Sequence, residues 1–401
     1  MADAGASPGL AANPGSSANP GSSASPAGSA RRPRGLIVSS SVTWADAQRI
    51  VEAGRTLGAE IEIRQADDYE ALDDALDAAP EVEFLLADFL PDASSGAGTG
   101  ANTAFSRVTV DDAMPAAIRD AALARVARLR WIQLAAAGVN QEAGSIVWRE
   151  APQIAITTAS GLPSVAMAQY IATVILTHSN RFDRLSRYRD VRNWSIRGEF
   201  QAEILIGQTL GLLGYGGVGR RAAIIARALG MRVIAIRRSI DSPPPERYRR
   251  PAFDPIDDDL EPAEVWGMES LDRLLDESDF IACTLPLTPE TRGLIGRHQI
   301  ERMKPDAIFI NVSRGPVIDE SALIDALRKN RIGGAALDVF ETEPLPADSP
   351  LWDLHNVLLT PHSSGTHDHV SDFTADLFLA NLERYLAGRP LLNLVDRERG
   401  Y

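Results

Sequence analysis

The chain predicts an α/β fold of two doubly wound, parallel-sheet units, and three observations carry that expectation. From Gly35 onward, short apolar runs alternate with segments of helical period. A G-x-G-x-x-G loop, Gly214 to Gly219, lies between one such run and one such segment. Three later apolar runs end in residues suited to chemistry: Arg314, the acids Asp338, Glu341 and Glu343, and His362.

Residues 1–34 are mostly Ala, Gly, Ser, Pro and Asn, and the six-residue block Ala12–Ser17 recurs at Ala18–Ser23. Such a segment has too little apolar surface to offset its ordering entropy, so a disordered low-complexity tail is expected. The first unit then offers strands at Leu36–Ser39, Glu60–Ile63, Glu83–Ala87, Trp131–Leu134 and Ile154–Thr157. Helices fit Trp44–Ala53, Tyr69–Ala78 and Ala116–Ala127, and the Gly/Ser-rich stretch Ser94–Ala101 reads as a surface insertion. Gly161–Thr177 is apolar enough for a long buried helix serving a core or an interface.

Thr209–Leu213, Arg220–Leu229 and Arg232–Ile236 make a βαβ unit around the glycine loop. There Gly214 permits a tight turn, Gly216 lets the backbone approach a pyrophosphate, and Gly219 lets helix and strand pack closely. The helix N-terminus adds N–H donors and partial positive charge. Asp241–Glu264, rich in Pro and Asp, reads as a long exposed loop. Further strands are expected at Phe280–Thr284, Ala307–Val312, Ala335–Val339 and Val357–Thr360, a helix capped by Ser270, and a last amphipathic helix at Val370–Ala387.

The 401 residues are 45% hydrophobic and 23% charged, an ordinary soluble composition with room for two cores. A net charge of −14 argues against nucleic-acid and anionic-membrane partners. The lone Cys283 sits in an apolar run, which excludes a disulfide framework and a cysteine metal site and suggests a buried, inert thiol. No apolar run approaches the ~20 residues of a membrane span, and no n-region with h-region opens the chain, so the cytoplasm is the expected location. His362, His367 and His369 lie close in sequence, but their spacing suits no common ligand pair, and no metal is expected.

An arginine ending a parallel strand stands at the mouth of the ligand crevice, where its fork can grip a carboxylate; alone, it could equally cap a helix or pair with an acid. His362 ends another strand, and histidine is the side chain best suited to proton exchange near neutrality. A hydride acceptor carbonyl needs a proton source and a positive group beside it, which an Arg, a His and a carboxylate at adjacent strand ends would supply.

From about Leu36 onward the chain resembles the D-isomer-specific 2-hydroxyacid dehydrogenase family, in particular its glyoxylate/hydroxypyruvate reductases. The matching stretches are Leu129–Val139, Gly214–Gly219, Thr284–Thr291, Met303–Pro305, Ile310–Gly315, Leu337–Pro344 and Thr360–His362. The resemblance implies two Rossmann-like domains, the substrate domain discontinuous: 35–160 as its first part, 161–362 for the dinucleotide, and 363–401 returning to it. It implies that Arg314 binds the substrate carboxylate and carbonyl, that His362 is the general acid/base, and that Glu343 orients it. It puts substrate contacts at Ala137, Gly138 and Arg314. Cofactor contacts are implied at Gly214, Gly216, Gly217, Val218, Gly219, Thr284, Val312, Ser313, Arg314, Asp338, His362 and Gly365. A homodimer is implied as well.

Two positions depart from the family pattern. Arg237 replaces the usual Asp after the second strand of the βαβ unit, and Arg238 and Ser239 follow it. An Asp would bind a ribose 2′-OH, whereas arginine attracts a 2′-phosphate, so NADP(H) is expected over NAD(H). With Arg237 turned to solvent, both cofactors would serve. Gln169 stands where the family commonly has Glu, a structural change in the long helix. The leading expectation is an NADPH-dependent reductase of a small 2-oxo acid. Phosphite or phosphoglycerate oxidation on the same groups, and a non-catalytic dinucleotide-sensing interaction protein, are the alternatives.

Overall fold

Among the described residues every strand is parallel to its neighbours, in two separate sheets. The computed structural model describes residues 31–64, 69–88, 116–142, 144–182, 192, 194, 201–240, 248–250 and 263–401. The expected low-complexity tail (apart from residues 31–34), the 94–101 insertion and most of the 241–264 loop lie outside them.

The first sheet runs β2-β1-β3-β4-β5, with β1 Arg34–Val38, β2 Glu60–Ile63, β3 Phe84–Ala87, β4 Trp131–Leu134 and β5 Ala155–Thr157. Helices α1 (Trp44–Leu57), α2 (Tyr69–Asp77), α3 (Ala116–Arg125) and α4 (Ile146–Glu150) connect its strands. Successive side chains of a strand face opposite sides, so a sheet covered on both faces reads as continuous apolar sequence. In β1, accordingly, Leu36 and Val38 join the core with Leu72 and Val126, while Ile37 joins Ile50, Trp131 and Phe378 on the other face. Helix α1 shows why its ends fall where they do. Thr43 Oγ1 accepts the Asp46 N–H at its start, and Gly58 ends it at φ = 90°, a left-handed value that glycine adopts without strain.

The second sheet runs β12-β11-β10-β9-β6-β7-β8. Its strands are β6 Thr209–Leu213, β7 Arg232–Ile236, β8 Glu264–Trp266, β9 Phe280–Cys283, β10 Ile308–Asn311, β11 Gly334–Leu337 and β12 Val357–Leu359. Its helices are α5 (Ser164–Ser179), α6 (Gly217–Ala228), α7 (Leu271–Glu277), α8 (Arg297–Arg302) and α9 (Glu320–Arg328). Ala168, Ile171 and Val174 of α5 pack with Ala222 and Ala223 of α6 against one face of the sheet. The final helix, α10 (Val370–Leu386), returns to the first sheet, where Phe378 and Leu382 join Ile37 and Trp131. Asn381 on it donates to the buried Gln133 of β4 at 3.0 Å. Both sheets belong to one compact unit, Pro33–Tyr401.

Three local expectations need correction. The loop 241–264 does not stay exposed to its end, since Glu264–Trp266 forms the edge strand β8 along β7. The apolar pair Val265 and Trp266 carries that pairing, and the density of Pro and Asp before it hid the signal. Tyr248–Arg250 in the same stretch are half-buried. Ser270 precedes α7 but makes no side-chain cap bond, because a 3-10 turn, Met268–Ser270, leads into the helix and sets its backbone at ψ = 12°. Helix α6 begins at Gly217, not Arg220, so the last glycines of the loop are already helical.

Candidate active site

The second sheet changes winding direction between β6 and β9, which opens a crevice beyond their carboxyl ends. Gly214, the first residue past β6, has φ = 102°. A Cβ on Gly219 would stand 2.5 Å from the Gly214 carbonyl oxygen, so the first turn of α6 touches the loop that precedes it. Thr284, the first residue past β9, donates its hydroxyl to Leu213 O at 3.2 Å and Gly214 O at 3.0 Å, which ties the two strand ends together. A Cβ on Gly216 would meet nothing within 4 Å. No side chain caps α6, so its first-turn N–H groups, including those of Gly217 and Val218, can serve an anion.

β10 ends in the buried Asn311, which builds the next turn. Its Oδ1 accepts from Ser313 N at 3.0 Å and Ser313 Oγ at 2.9 Å, and its Nδ2 donates to Arg314 O at 3.2 Å. Val312 and Ser313 are themselves buried. Arg314 Nη1 donates to Ser313 O at 2.7 Å. A Cβ on Gly138 would fall 1.9 Å from Arg314 Nη2, so the Ala137–Gly138 turn after β4 lies directly against the guanidinium. Beside that turn, Asn140 Nδ2 donates to Leu287 O on the loop after β9. Burial pulls the Arg314 pKa below its usual value, with the Glu343 charge opposing, and a guanidinium keeps its charge nonetheless.

Beyond β11 and β12 the chain is held by Asp338, which is wholly buried. Its Oδ1 accepts from Thr360 Oγ1 at 2.6 Å and Ser363 N at 2.8 Å, and its Oδ2 accepts from Ser364 N at 3.0 Å. Tyr170 of α5 bonds the same Thr360 hydroxyl at 2.8 Å. Gly365 closes the segment against α5, where a Cβ would stand 3.0 Å from that of Pro163. His362, enclosed by these bonds, has φ = 49°, a value a side-chain-bearing residue keeps only when its surroundings fix it. Its Nδ1 lies 2.8 Å from Glu343 Oε2, and the other Glu343 oxygen accepts the Phe340 N–H at 2.9 Å. Burial alone would raise the Glu343 pKa. The hydrogen bonds from His362 and Phe340, with the charges of His362 and Arg314, outweigh it and hold the carboxyl below its ordinary value. An ionised carboxylate only accepts, so Nδ1 is the protonated nitrogen of the neutral ring and Nε2 the one that carries the lone pair.

Arg314, Glu343 and His362 are thus gathered past the ends of neighbouring strands, with the Ala137–Gly138 turn against Arg314. Arg237 and Arg238 stand apart, past the end of β7. Arg237 is half-buried and its Nε donates to Ser239 O, while Arg238 is exposed and bonds Tyr401. Motif reading gave no role to Asn311 or Thr360, whose only signal is a polar residue at the end of an apolar run, or to Tyr170, which lies inside the apolar helix α5. It also passed over Ser39 and Ser40, which bond Asp88 at the ends of β1 and β3. His367 and His369 pack on the Phe373 ring, and His178 on Phe280. Cys283 is fully buried against Ser313, and burial raises its thiol pKa.

Residues 172–364 match the family model described as D-isomer specific 2-hydroxyacid dehydrogenase, NAD binding domain. A glyoxylate reductase of Korarchaeum cryptofilum (strain OPF8) is 33% identical over 250 residues, covering 61% of this chain and 70% of that one. A hydroxypyruvate reductase of Blautia hydrogenotrophica is 37% identical over 193 residues, 48% of this chain and 54% of its own length. Among solved structures, a D-isomer specific 2-hydroxyacid dehydrogenase from Xanthobacter autotrophicus Py2, in complex with NADPH and MES, superposes with a TM-score of 0.68 at 28% identity, covering 92% of this chain and all of that one.

Proposed function

From the premise that this chain belongs to the D-isomer-specific 2-hydroxyacid dehydrogenase family, we propose that it is an NADPH-dependent reductase of small 2-oxo acids of the glyoxylate and hydroxypyruvate type. That it is an NAD(P)-dependent oxidoreductase of this family follows from its relatives. The substrate class, the cofactor preference and the residue roles are the proposal. The observation that carries it is the Glu343–His362 contact within reach of the Arg314 charge, at the carboxyl ends of parallel strands.

The residues fit a dinucleotide. The Gly214–Gly219 loop has open space at Gly216 and an uncapped helix start at Gly217, so Gly214, Gly216, Gly217, Val218 and Gly219 would hold the pyrophosphate. Thr284, Val312, Ser313, Asp338 and Gly365 shape the wall along the strand ends, Asp338 by fixing the segment from Thr360 to Ser364. When bound, the nicotinamide supplies the hydride. Arg314 holds the substrate carboxylate and polarises its carbonyl, and the backbone N–H groups at Ala137–Gly138 grip the same carboxylate. His362 Nε2 gives its proton to the forming hydroxyl in reduction and takes it back in oxidation. Glu343 keeps Nδ1 protonated and stabilises the charged imidazole between those events. Arg237 and Arg238 bind the 2′-phosphate that distinguishes NADP(H).

A homodimer is part of the same reading. Leu176, Phe182, Ile204 and Ile206 are exposed apolar residues, the last two 76% and 75% accessible. The Glu203 N–H donates to Ser179 O at 2.8 Å, which draws them to one end of α5. Such a patch suits a second copy of the chain. Among the described residues no helix is long and apolar enough to cross a membrane; a cytoplasmic location is proposed.

Initial rates for glyoxylate, hydroxypyruvate and pyruvate, each with NADPH and with NADH, test the reading. Turnover of at least one 2-oxo acid with a higher kcat/KM for NADPH is expected. A preference for NADH sinks the cofactor assignment, and no turnover of any 2-oxo acid sinks the substrate class.

A further inference from the structure

The segment after α10 straps the first sheet to the second. Asn393 Nδ2 donates to Thr158 O at 2.9 Å and Ser160 O at 2.8 Å, and the Val395 N–H donates to Ile156 O at 2.8 Å. Leu394 makes an antiparallel bridge with Thr157, at the edge of the first sheet. Arg397 then donates to the carbonyls of Val147, Trp148, Ala151 and Ile154, which locks the strap onto α4. Beyond this anchor Tyr401 meets the other sheet. Arg238 Nη2 donates to the Tyr401 hydroxyl at 2.6 Å, and the guanidinium carbon lies 5.6 Å from the centre of the Tyr401 ring.

Arg238 is exposed, just past the end of β7. A free arginine there would sample many rotamers and lose that freedom when it bound an anion. Tyr401 restrains it through the hydroxyl bond at one edge of the guanidinium, with the electron-rich ring 5.6 Å away beside it. One of the five guanidinium N–H groups is used, and others are left for a ligand. The carboxyl end of β7 is where this type of βαβ unit places the adenosine ribose. An arginine already ordered at that point binds a phosphate at lower entropic cost.

We propose that Tyr401 is a positioning residue for the 2′-phosphate of NADP(H), acting through Arg238. The proposal rests on the NADP(H) reading above and adds to it a residue from the strap that is anchored on the other sheet.

Adenosine 2′,5′-bisphosphate and 5′-AMP, titrated calorimetrically into the full chain, isolate the phosphate contribution without turnover. Tyr401→Ala is expected to weaken the bisphosphate by about tenfold and leave 5′-AMP within about twofold, with Tyr401→Phe between the two. In steady state the KM for NADPH should rise at nearly constant kcat, and the constants for NADH should not move. Equal losses for both nucleotides, or no loss in either variant, overturn the proposal. Arg238→Ala separates this idea from the reading beneath it. If the unaltered chain does not favour the bisphosphate, the NADP(H) reading falls and takes Tyr401 with it. If the chain favours it, and Arg238→Ala abolishes that preference while both Tyr401 variants keep it, only the role of Tyr401 falls.

Discussion

In the first sheet β1 and β3, where the strand order turns, end in Ser39, Ser40 and Asp88; in the second, β6 and β9 end in the glycine loop and Thr284. Both are switch points of parallel sheets, the places where such folds keep ligands. The contents differ. Beside its switch point the second sheet carries an arginine, an Asp-braced loop and a His–Glu pair within three adjacent strands. The first sheet offers a clamp of serines on one aspartate and a turn, Ala137–Gly138, whose usable groups are backbone. On the proposed function, reaction falls to the second sheet and substrate choice to the first, with Gly138 and Arg314 as the point where the two sheets meet.

The largest test of that division is His362→Ala. Removing the proton donor should lower kcat by roughly 10²- to 10⁴-fold. NADPH affinity, measured by fluorescence titration, should stay within about twofold, because the glycine loop and the charges past β7, rather than this one ring, are proposed to supply most of the cofactor's binding energy. An unimpaired kcat would remove the second sheet's claim to the chemistry.

Gly138→Ala strikes the meeting point. The added Cβ would lie 1.9 Å from Arg314 Nη2, closer than any real contact, so either the turn or the guanidinium must shift. A displacement of this size commonly costs about 10²-fold in an oriented reaction. The expected result is a raised KM for the 2-oxo acid with NADPH affinity unchanged. A KM unchanged from the unaltered chain would mean that the turn does not hold the substrate.

Asp88→Ala probes the first sheet alone. It removes the acceptor of hydrogen bonds from Ser39 Oγ, Ser40 N and Ser40 Oγ, each worth about 1 kcal/mol. Stability to urea should fall by roughly 1–3 kcal/mol. The ranking of 2-oxo acids by KM should change, while kcat on the best of them moves only a few-fold, on the order of 1 kcal/mol in barrier. A kcat loss as large as that of His362→Ala would break the division between the sheets.

What could be read from sequence divides along the same line. The second sheet's strands, glycine loop and strand-end residues were legible because a strand buried on both faces is a continuous apolar run, and its end is marked by the first charged residue. Arg314 and His362 each follow such a run, whereas Glu343 comes after Asp338 and Glu341 and stood out only through its resemblance to the family pattern. Tyr170 and Thr360 were not legible, since their importance lies in a contact across 190 positions, and Asn311 was hidden because its partners Ser313 and Arg314 form a turn with no periodic signal. β8 escaped because its three residues follow a stretch rich in Pro and Asp, and composition there outweighed a short pattern. The contact of Tyr401 with Arg238, 163 positions apart, follows no periodicity at all.

The smallest expected effect concerns the charge on Glu343. Burial works against its ionisation, yet the hydrogen bonds from His362 and Phe340, with the charges of His362 and Arg314, leave its pKa below the ordinary value. A carboxyl whose pKa is lower in the folded than in the unfolded chain adds stability at pH above the unfolded value. That stability is lost as pH falls through the folded one. Glu343→Gln keeps an oxygen to accept the Nδ1 proton and removes only the charge. At neutral pH its thermal midpoint should lie roughly 2 °C below that of the unaltered chain. Since the unfolded glutamate titrates near ~4.3, the gap should persist down to that pH and close below it. A gap that is constant from neutral pH to well below that value would show that the carboxylate is not favoured by folding. The Nδ1 proton assigned to the second sheet's machinery would then have no charged partner to hold it.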